Sequence, residues 1–135
     1  MTNKIILLVE DDFMNMRLAQ HILELEGYTV LKAATANEAL TQIESTLPDL
    51  ILMDAQLPDM DGMTVVRILR ENTITRDVTI LALTACAMKG DRERMLRMGC
   101  DGYISKPINV QDFTDTVRRF LVQKPKRENE ESTCH

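Results

Sequence analysis

Short runs rich in β-forming residues recur along the chain at fairly regular intervals. Each run has the length of a β-strand, and the first, at residues 5–9, is unbroken and aliphatic. Strands that are covered by helices on both faces have this pattern, whereas strands with one wet face alternate apolar and polar residues. The pattern therefore predicts five buried strands, at residues 5–9, 28–33, 50–53, 79–83 and 102–105.

Between the predicted strands, apolar residues recur at three- and four-residue steps, which predicts helices with one buried face. The first helix is expected to end at Gly27, since glycine readily takes the left-handed conformation. A capping box begins the second helix, because the Thr35 hydroxyl can accept from the third helical N–H and Glu38 can reach back. Pro48 is expected to stop that helix. The apolar positions expected to be buried are Met14, Leu18, Ile22 and Leu25 in the first helix and Ala36, Ala39, Leu40, Ile43 and Leu47 in the second.

Three further helices follow the third, fourth and fifth strands. The third helix comes after the turn-rich segment 56–62 and is expected to run through about residue 69. The fourth is expected from Met88 to Met98, with Gly99 as its cap. Asn109 is the expected N-cap of the last helix, whose inner face would consist of Val110, Phe113, Val117 and Leu121.

Alternation of strands and helices predicts an α/β fold, with a parallel sheet and helices on both faces. In an open sheet of order 2-1-3-4-5, the second strand lies at an edge and the first, third and fourth lie in the middle. We expect one domain over residues 1–123. Residues 124–135 are charged and poor in apolar side chains, so they are expected to form a disordered tail.

The composition excludes several classes of protein. With 16 Lys and Arg against 21 Asp and Glu in 135 residues, the net charge is −5, whereas a nucleic-acid groove needs a basic face. No apolar run is longer than residues 5–9, so none can span a bilayer, and the acidic residues 10–12 interrupt any secretory signal. The three cysteines lack a CxxC spacing and are expected to be reduced thiols, which favours a cytoplasmic location.

Polar side chains follow four of the five predicted strands at the point where each strand ends. Because the carboxyl ends of parallel strands meet at one edge of the sheet, these side chains are expected to converge there. The second strand is followed only by alanines, and it is the strand expected at the remote edge. The converging groups are Glu10, Asp11 and Asp12 after the first strand, Asp54 after the third, Thr84 after the fourth and Lys106 after the fifth.

This set of side chains suits the chemistry of phosphate. Carboxylates at one strand edge repel one another unless a cation neutralises them, and Mg²⁺ prefers such ligands and also binds phosphate oxygens. The ammonium of Lys106 and the hydroxyl of Thr84 can each contact a further phosphate oxygen. Asp54 is then a candidate nucleophile that forms an acyl phosphate. The sequence contains no group typical of a substrate-specific pocket, which suggests that the protein is itself the substrate.

Four motifs that contain these residues resemble the receiver domains of two-component response regulators. The matching segments are 8–12, 52–62, 83–85 and 103–107, in the usual order and spacing, and the similarity runs from about residue 4 to residue 121. Residues 87–91 and 103–108 look especially like the DivK-type single-domain regulators and the receivers of hybrid sensor kinases. The resemblance implies a flavodoxin-like receiver fold and a function in a phosphorelay.

The resemblance implies specific roles for the acidic residues. Asp54 would accept a phosphoryl group from a phosphohistidine on a histidine kinase or a histidine phosphotransfer protein. Asp11 and Asp54 would bind Mg²⁺ directly, with the backbone carbonyl of Gln56, and Glu10 would bind it through water. Asp12 is expected to be the N-cap of the first helix, although an exchange of roles between Asp11 and Asp12 stays open.

The resemblance also implies how phosphorylation is sensed. Lys106 would pair with the phosphoryl group, the Thr84 hydroxyl would move toward it, and Tyr103 would turn inward. Ala85 is small enough to leave the site open to the histidine of the donor, and Lys106–Pro107 is expected to be a cis peptide. The face formed by the fourth helix, fifth strand and fifth helix would then change shape for a downstream protein.

The protein is expected to be a stand-alone regulator that acts through another protein. It is not expected to be an enzyme, and no nucleic-acid, membrane or small-molecule partner is expected. The alternative organisation is a receiver that belongs to a hybrid sensor kinase. Gln56 and Cys86 lie at positions that vary in the family and are expected to tune how long the phosphate lasts.

Two other classes of protein use a similar sheet. A Mg²⁺-dependent phosphatase or phosphotransferase with an aspartyl nucleophile usually has a second Asp two residues later as general acid, and a cap region, whereas this chain has Gln56 there and no insertion. A flavodoxin-like electron carrier needs a loop of Ser, Thr and Gly after the first strand. The acidic residues 10–12 would repel a cofactor phosphate at that position.

Overall fold

The computed structural model of the protein describes residues 4–85 and 89–122. The expected Met88 start of the fourth helix and the expected tail at 124–135 lie outside these residues. None of the helices within them combines the length and apolar content that a bilayer crossing requires. Strands and helices alternate in the order β1 (Ile5–Val9), α1 (Phe13–Leu25), β2 (Thr29–Ala33), α2 (Ala36–Ser45), β3 (Leu50–Asp54), α3 (Gly62–Glu71), β4 (Thr79–Thr84), α4 (Lys89–Met98), β5 (Gly102–Ser105) and α5 (Val110–Val122).

The five strands form one parallel sheet in the order β2-β1-β3-β4-β5. The predicted α/β fold and strand order are therefore confirmed. The register pairs Val9 of β1 with Met53 of β3, and Asp54 of β3 with Leu83 of β4. The three central strands consequently end at the same level, and the residues that follow them share one edge of the sheet.

Alternate strand residues point to opposite faces of the sheet and build two separate cores. Leu7 and Val9 of β1 belong to the core beneath α2, α3 and α4, whereas Ile6 and Leu8 belong to the core beneath α1 and α5. All four are fully buried, as their uninterrupted aliphatic sequence predicts. Cys100 lies in the first core, where burial raises the pKa of its thiol to about 12, so this cysteine packs as an uncharged side chain.

The buried face of α1 differs from the prediction. The helix places Ala19, Ile22 and Leu23 against the sheet. Of the four residues expected to be buried only Ile22 is, and the helix exposes Met14, Leu18 and Leu25. Apolar residues occur on more than one side of this helix, so their spacing alone did not determine which side packs. The small side chain of Ala19 favours the observed side because it allows a close approach to the sheet.

Two further apolar residues are exposed where burial was expected. Helix α2 ends at Ser45, and Leu47 is 49% exposed. The backbone of Thr46 is already extended (φ −142°, ψ 119°), and Pro48 disfavours helical conformation in Leu47, the residue directly before it. Val110 is exposed because it is the first residue of α5, whereas the predicted Phe113 and Val117 are fully buried.

The predicted helix caps are confirmed, whereas α3 continues to Glu71, two residues past its expected end. Gly27 (φ 94°) and Gly99 (φ 120°) have the left-handed conformation, and Lys106–Pro107 is a cis peptide. Each predicted N-cap side chain accepts a hydrogen bond from a backbone N–H in the first turn of its helix: Asp12 from Met14 (2.9 Å), Thr35 from Glu38 (3.1 Å) and Asn109 from Asp112 (3.0 Å).

Candidate functional site

The polar residues predicted to converge do so at the carboxyl edge of the sheet. They line one open cavity of about 540 Å³, into which the ends of β1, β3, β4 and β5 lead. The residues after β2 do not line it, as expected for the edge strand. The lining includes these sequence-predicted residues: Glu10, Asp11, Asp12, Asp54, Gln56, Thr84, Ala85 and Lys106.

Three carboxylates form a close group within this cavity. One oxygen each from Glu10, Asp11 and Asp54 lies within 4.8 Å of the others. Glu10 and Asp54 are buried, whereas Asp11 is exposed. The group is therefore enclosed by protein on the side of the sheet and open to solvent on the side of Asp11.

Lys106 reaches into the carboxylate group from β5. Its Nζ lies 2.9 Å from Glu10 Oε1 and 3.2 Å from Asp54 Oδ2. Burial acts to lower the pKa of Lys106, but the contacts with Glu10 and the charge of Asp54 outweigh it, so the pKa is raised. The lysine therefore stays a cation at neutral pH. Burial raises the pKa of Glu10, and the contact with Lys106 opposes this shift.

The negative charge of this group favours the binding of a divalent cation. Among the described residues, these three carboxylates face the ammonium of Lys106 alone, and two of the three are buried, so their mutual repulsion is only partly offset. All three offer hard oxygen ligands, and the side of Asp11 is open to solvent. Mg²⁺ prefers oxygen ligands and keeps several of its waters when it binds. The residues present therefore fit Mg²⁺.

Backbone N–H groups fix the orientation of two of these carboxylates. Glu10 Oε2 accepts a hydrogen bond from the Asp12 N–H at 3.1 Å, and Asp54 Oδ1 accepts one from the Gln56 N–H at 3.1 Å. In both cases the donor lies two residues further along the chain, where the strand has just ended. The backbone of the turn after each strand thus fixes the orientation of the carboxylate at the end of that strand.

The loop after β3 is closed on itself. Gln56 and Asp61 form an isolated antiparallel bridge, and the Gly62 N–H donates to the Ala55 carbonyl at 3.1 Å. This closure holds the backbone of Gln56 at the cavity and leaves its side chain exposed. The loop can therefore offer the Gln56 carbonyl at a fixed place.

Gly62 packs against the backbone of Asp54, although the sequence indicated only that it belongs to a turn. A Cβ atom on Gly62 would come within 2.1 Å of the backbone oxygen of Asp54 and 3.1 Å of Cα of Ala55. Glycine is needed here because α3 begins directly against the end of β3. The turn motif was visible in the sequence, but this close approach was not, because it depends on how α3 packs.

Helix α4 supplies cavity residues that the sequence did not indicate. Asp91, Arg94 and Met95 line the cavity from this side. Arg94 lies 3.9 Å from Asp61, the N-cap of α3, across the cavity mouth. Asp91 is half-buried and Arg94 exposed, and these charges carry no sequence signal of their own, since only the packing of α4 brings them to the site.

Tyr103 lies away from the cavity. Its half-buried ring packs at the margin of the core beneath α2, α3 and α4, and its hydroxyl accepts a hydrogen bond from Arg92 at 2.9 Å. Thr84 and Ala85 do line the cavity, with Thr84 buried and Ala85 exposed. Cys86, which was expected to tune the site, lies outside the described residues.

Sequence comparison gives a family match over most of the chain. Residues 6–118 match the family described as response regulator receiver domain. The polar-differentiation response regulator DivK of Brucella ovis is 42% identical over 118 residues, which are 87% of this chain and 96% of the relative.

Solved structures of similar proteins share the fold. A CheY-like response regulator receiver domain protein from Methanospirillum hungatei superposes with a TM-score of 0.82 at 34% identity, covering 90% of this chain and 96% of that one. The receiver domain of the sensor histidine kinase PA1611 from Pseudomonas aeruginosa superposes with a TM-score of 0.81 at 36% identity, covering 89% and 98%. That domain holds a magnesium ion in its active site cleft.

Proposed function

The chain belongs to the response regulator receiver domains, and from this premise we propose that it accepts a phosphoryl group on Asp54 in a two-component phosphorelay. The observation that carries the proposal is the carboxylate group of Glu10, Asp11 and Asp54 with Lys106 inserted into it. The proposed donor is a phosphohistidine on a histidine kinase or a histidine phosphotransfer protein. The protein is then a phosphoacceptor and not an enzyme with a separate substrate.

Mg²⁺ is the proposed cofactor. Asp11 and Asp54 would hold it directly with the backbone carbonyl of Gln56, and Glu10 would hold it through water. When bound, the ion supplies charge that offsets the carboxylates and the oxygens of the phosphoryl group. Asp12 is not part of the proposed ligand set, because its carboxylate caps α1.

The proposed reaction is an in-line transfer between two side chains. A carboxylate oxygen of Asp54 attacks the phosphorus of the phosphohistidine, a P–O bond forms, and the P–N bond breaks. The imidazole nitrogen leaves with the electron pair of that bond and takes up a proton from solvent. The product is an acyl phosphate on Asp54, and Ala85 leaves space beside it for the donor histidine.

Lys106 and Thr84 are the proposed ligands of the new phosphoryl oxygens. The ammonium of Lys106 already lies 3.2 Å from Asp54, so it can transfer its contact from the carboxylate to a phosphoryl oxygen with little movement. Thr84 ends the neighbouring strand and can donate its hydroxyl proton to another oxygen. The exposed side chain of Gln56, at the rim, is proposed to influence how long the acyl phosphate lasts.

The proposed output is a change at the face formed by α4, β5 and α5. Movement of Thr84 toward the phosphoryl group would make space that Tyr103 fills by turning inward. A downstream protein then recognises the altered face. We propose that the receiver domain spans residues 1–123, that the protein works in the cytoplasm, and that it acts on separate proteins, as a stand-alone regulator like DivK.

Phosphotransfer to the Asp54→Asn variant tests this proposal. The variant removes the nucleophilic carboxylate but keeps nearly the same shape, so the fold should be retained and transfer from a phosphorylated histidine kinase should fall to background. Asp77→Asn is the matched control, since Asp77 is an exposed aspartate at the opposite edge of the sheet. Transfer to Asp54→Asn at the wild-type rate would contradict the proposal.

A further inference from the structure

Arg92 holds the ring of Tyr103 by two contacts. Its Nη1 donates a hydrogen bond to the Tyr103 hydroxyl at 2.9 Å, and its Cζ lies 5.7 Å from the centre of the same ring. A guanidinium at this distance is attracted to an aromatic face. Arg92 lies in the first half of α4 and Tyr103 in β5, so the contacts connect the two elements.

Packing and Arg92 act on opposite parts of the tyrosine. The half-buried ring rests against the core beneath α2, α3 and α4, whereas the hydroxyl points to the exposed guanidinium. Packing alone would allow the ring to take another position in which the hydroxyl finds water or a different partner. In this structure both contacts with Arg92 are made while the ring lies away from the cavity.

We propose that Arg92 is a positioning residue that holds Tyr103 in its outward position. It thereby shifts the equilibrium between the outward and inward arrangements of the unphosphorylated protein toward the outward one. The inference rests on the proposed function, in which Tyr103 turns inward after phosphorylation of Asp54. An inward turn breaks both contacts with Arg92. The arginine therefore stabilises the unphosphorylated arrangement relative to the phosphorylated one.

Thermodynamic linkage makes the proposal quantitative. If Arg92 favours the outward arrangement by some factor, its removal must favour the inward arrangement by the same factor. A phosphoryl analogue that binds the inward arrangement more tightly must then gain affinity by up to that factor. The contacts are exposed, so we expect an increase of about threefold to tenfold.

The far end of α4 is held by different contacts. Arg70 Nε donates to the Gly99 carbonyl at 2.9 Å, and its Nη2 lies 3.0 Å from Asp101. Loss of Arg92 should therefore leave α4 folded and docked. A change in the switch without a change in melting temperature separates a positioning role from a merely structural one.

Fluorine NMR of 3-fluorotyrosine-labelled protein can test this directly, because the chain has only two tyrosines. The Tyr28→Phe variant identifies the Tyr103 resonance, since Tyr28 belongs to the other core. Wild type, Arg92→Gln and Arg92→Lys are titrated with beryllofluoride in the presence of Mg²⁺. Arg97→Gln is the matched control, an exposed arginine in the last turn of the same helix.

We expect Arg92→Gln to move the unliganded Tyr103 resonance toward the position seen at saturation, and to bind beryllofluoride about threefold to tenfold more tightly. Arg92→Lys should lie between it and wild type, and Arg97→Gln should match wild type. Wild-type affinity and resonance position in Arg92→Gln would overturn the role of Arg92 and leave the proposed function standing. A wild-type protein that does not bind beryllofluoride would overturn both.

Discussion

One lysine supplies the positive charge that offsets two buried carboxylates of the site. Glu10 and Asp54 both contact Lys106, and Glu10 is only 1% exposed. A buried carboxylate that loses its cation must either stay charged at a cost or take up a proton. The effects of the lysine and of Mg²⁺ on the free energy of unfolding can therefore be measured separately.

Lys106→Ala should lower the free energy of unfolding by about 1–3 kcal/mol in the absence of Mg²⁺. Mg²⁺ should restore a larger part of stability in the variant than it adds to wild type, because the ion offsets the same carboxylates. Urea unfolding with and without Mg²⁺ measures both effects, with the exposed Lys32→Ala as control. Equal stabilisation of variant and wild type by Mg²⁺ would show that the lysine and the ion do not act on the same group.

Gly62→Ala should disturb the site through the backbone. The added Cβ would meet the Asp54 carbonyl oxygen, so the end of β3 or the start of α3 must move. We expect a loss of about 1–3 kcal/mol in unfolding free energy and a slower phosphorylation of Asp54.

Gly90→Ala is the control for this substitution. No atom of the described residues lies within 4 Å of a Cβ on Gly90, and alanine favours the helix, so stability should be unchanged or higher by up to about 1 kcal/mol. Thermal unfolding and labelling by a small phosphodonor measure the two variants together. If both variants behave alike, the close approach at Gly62 is not what requires glycine.

At the scale of elements, the loop after β3 is tied to the start of α2. The carboxylate of Asp59 accepts hydrogen bonds from the backbone N–H groups of Ala36 (2.9 Å) and Asn37 (3.1 Å). These N–H groups have no partner within their own helix, because they lie in its first turn. Both hydrogen bonds lower the pKa of Asp59, and the one from Ala36 has the larger effect. One side chain thus connects the loop that carries Gln56 with a neighbouring helix.

Asp59→Ala should lower the melting temperature at pH 7 by a few degrees. Because the folded pKa is lowered, the carboxylate contributes fully above its unfolded pKa, near 3.8, and its contribution is lost as the pH falls through the folded value. The difference between wild type and variant should therefore shrink as the pH drops below about 4. A melting-temperature difference that stays constant from pH 7 to pH 3 would contradict this role.

The elements were predictable from the sequence to different degrees. The buried strands were clear, because residues such as those of β1 and β3 form aliphatic runs that only a doubly covered strand needs. The caps were also clear, since Asp12 and Thr35 satisfy backbone N–H groups within a few residues. The buried side of α1 was not, because the helix carries apolar residues on two sides, Met14 and Leu25 on one and Leu23 on the other, and only packing on the sheet decides between them.

At the scale of the whole molecule, topology explains why much of the site could be predicted. A parallel sheet of known order brings the carboxyl ends of its strands together, so Glu10, Asp54 and Lys106 could be grouped before any distance was known. The contributions of α3 and α4 could not be grouped in this way. Gly62 lies against the backbone of Asp54, and Arg94 lines the cavity, only because of how their helices pack, and the local sequence does not indicate that packing.

Phosphorylation of the intact protein by phosphoramidate, followed by mass spectrometry, tests the central claim most directly. With Mg²⁺ the account predicts one added phosphoryl group per chain, located by fragmentation on the peptide that contains Asp54. With EDTA in place of Mg²⁺ it predicts almost none. A phosphoryl group on another residue, or labelling of Asp54 that does not depend on Mg²⁺, would contradict the account.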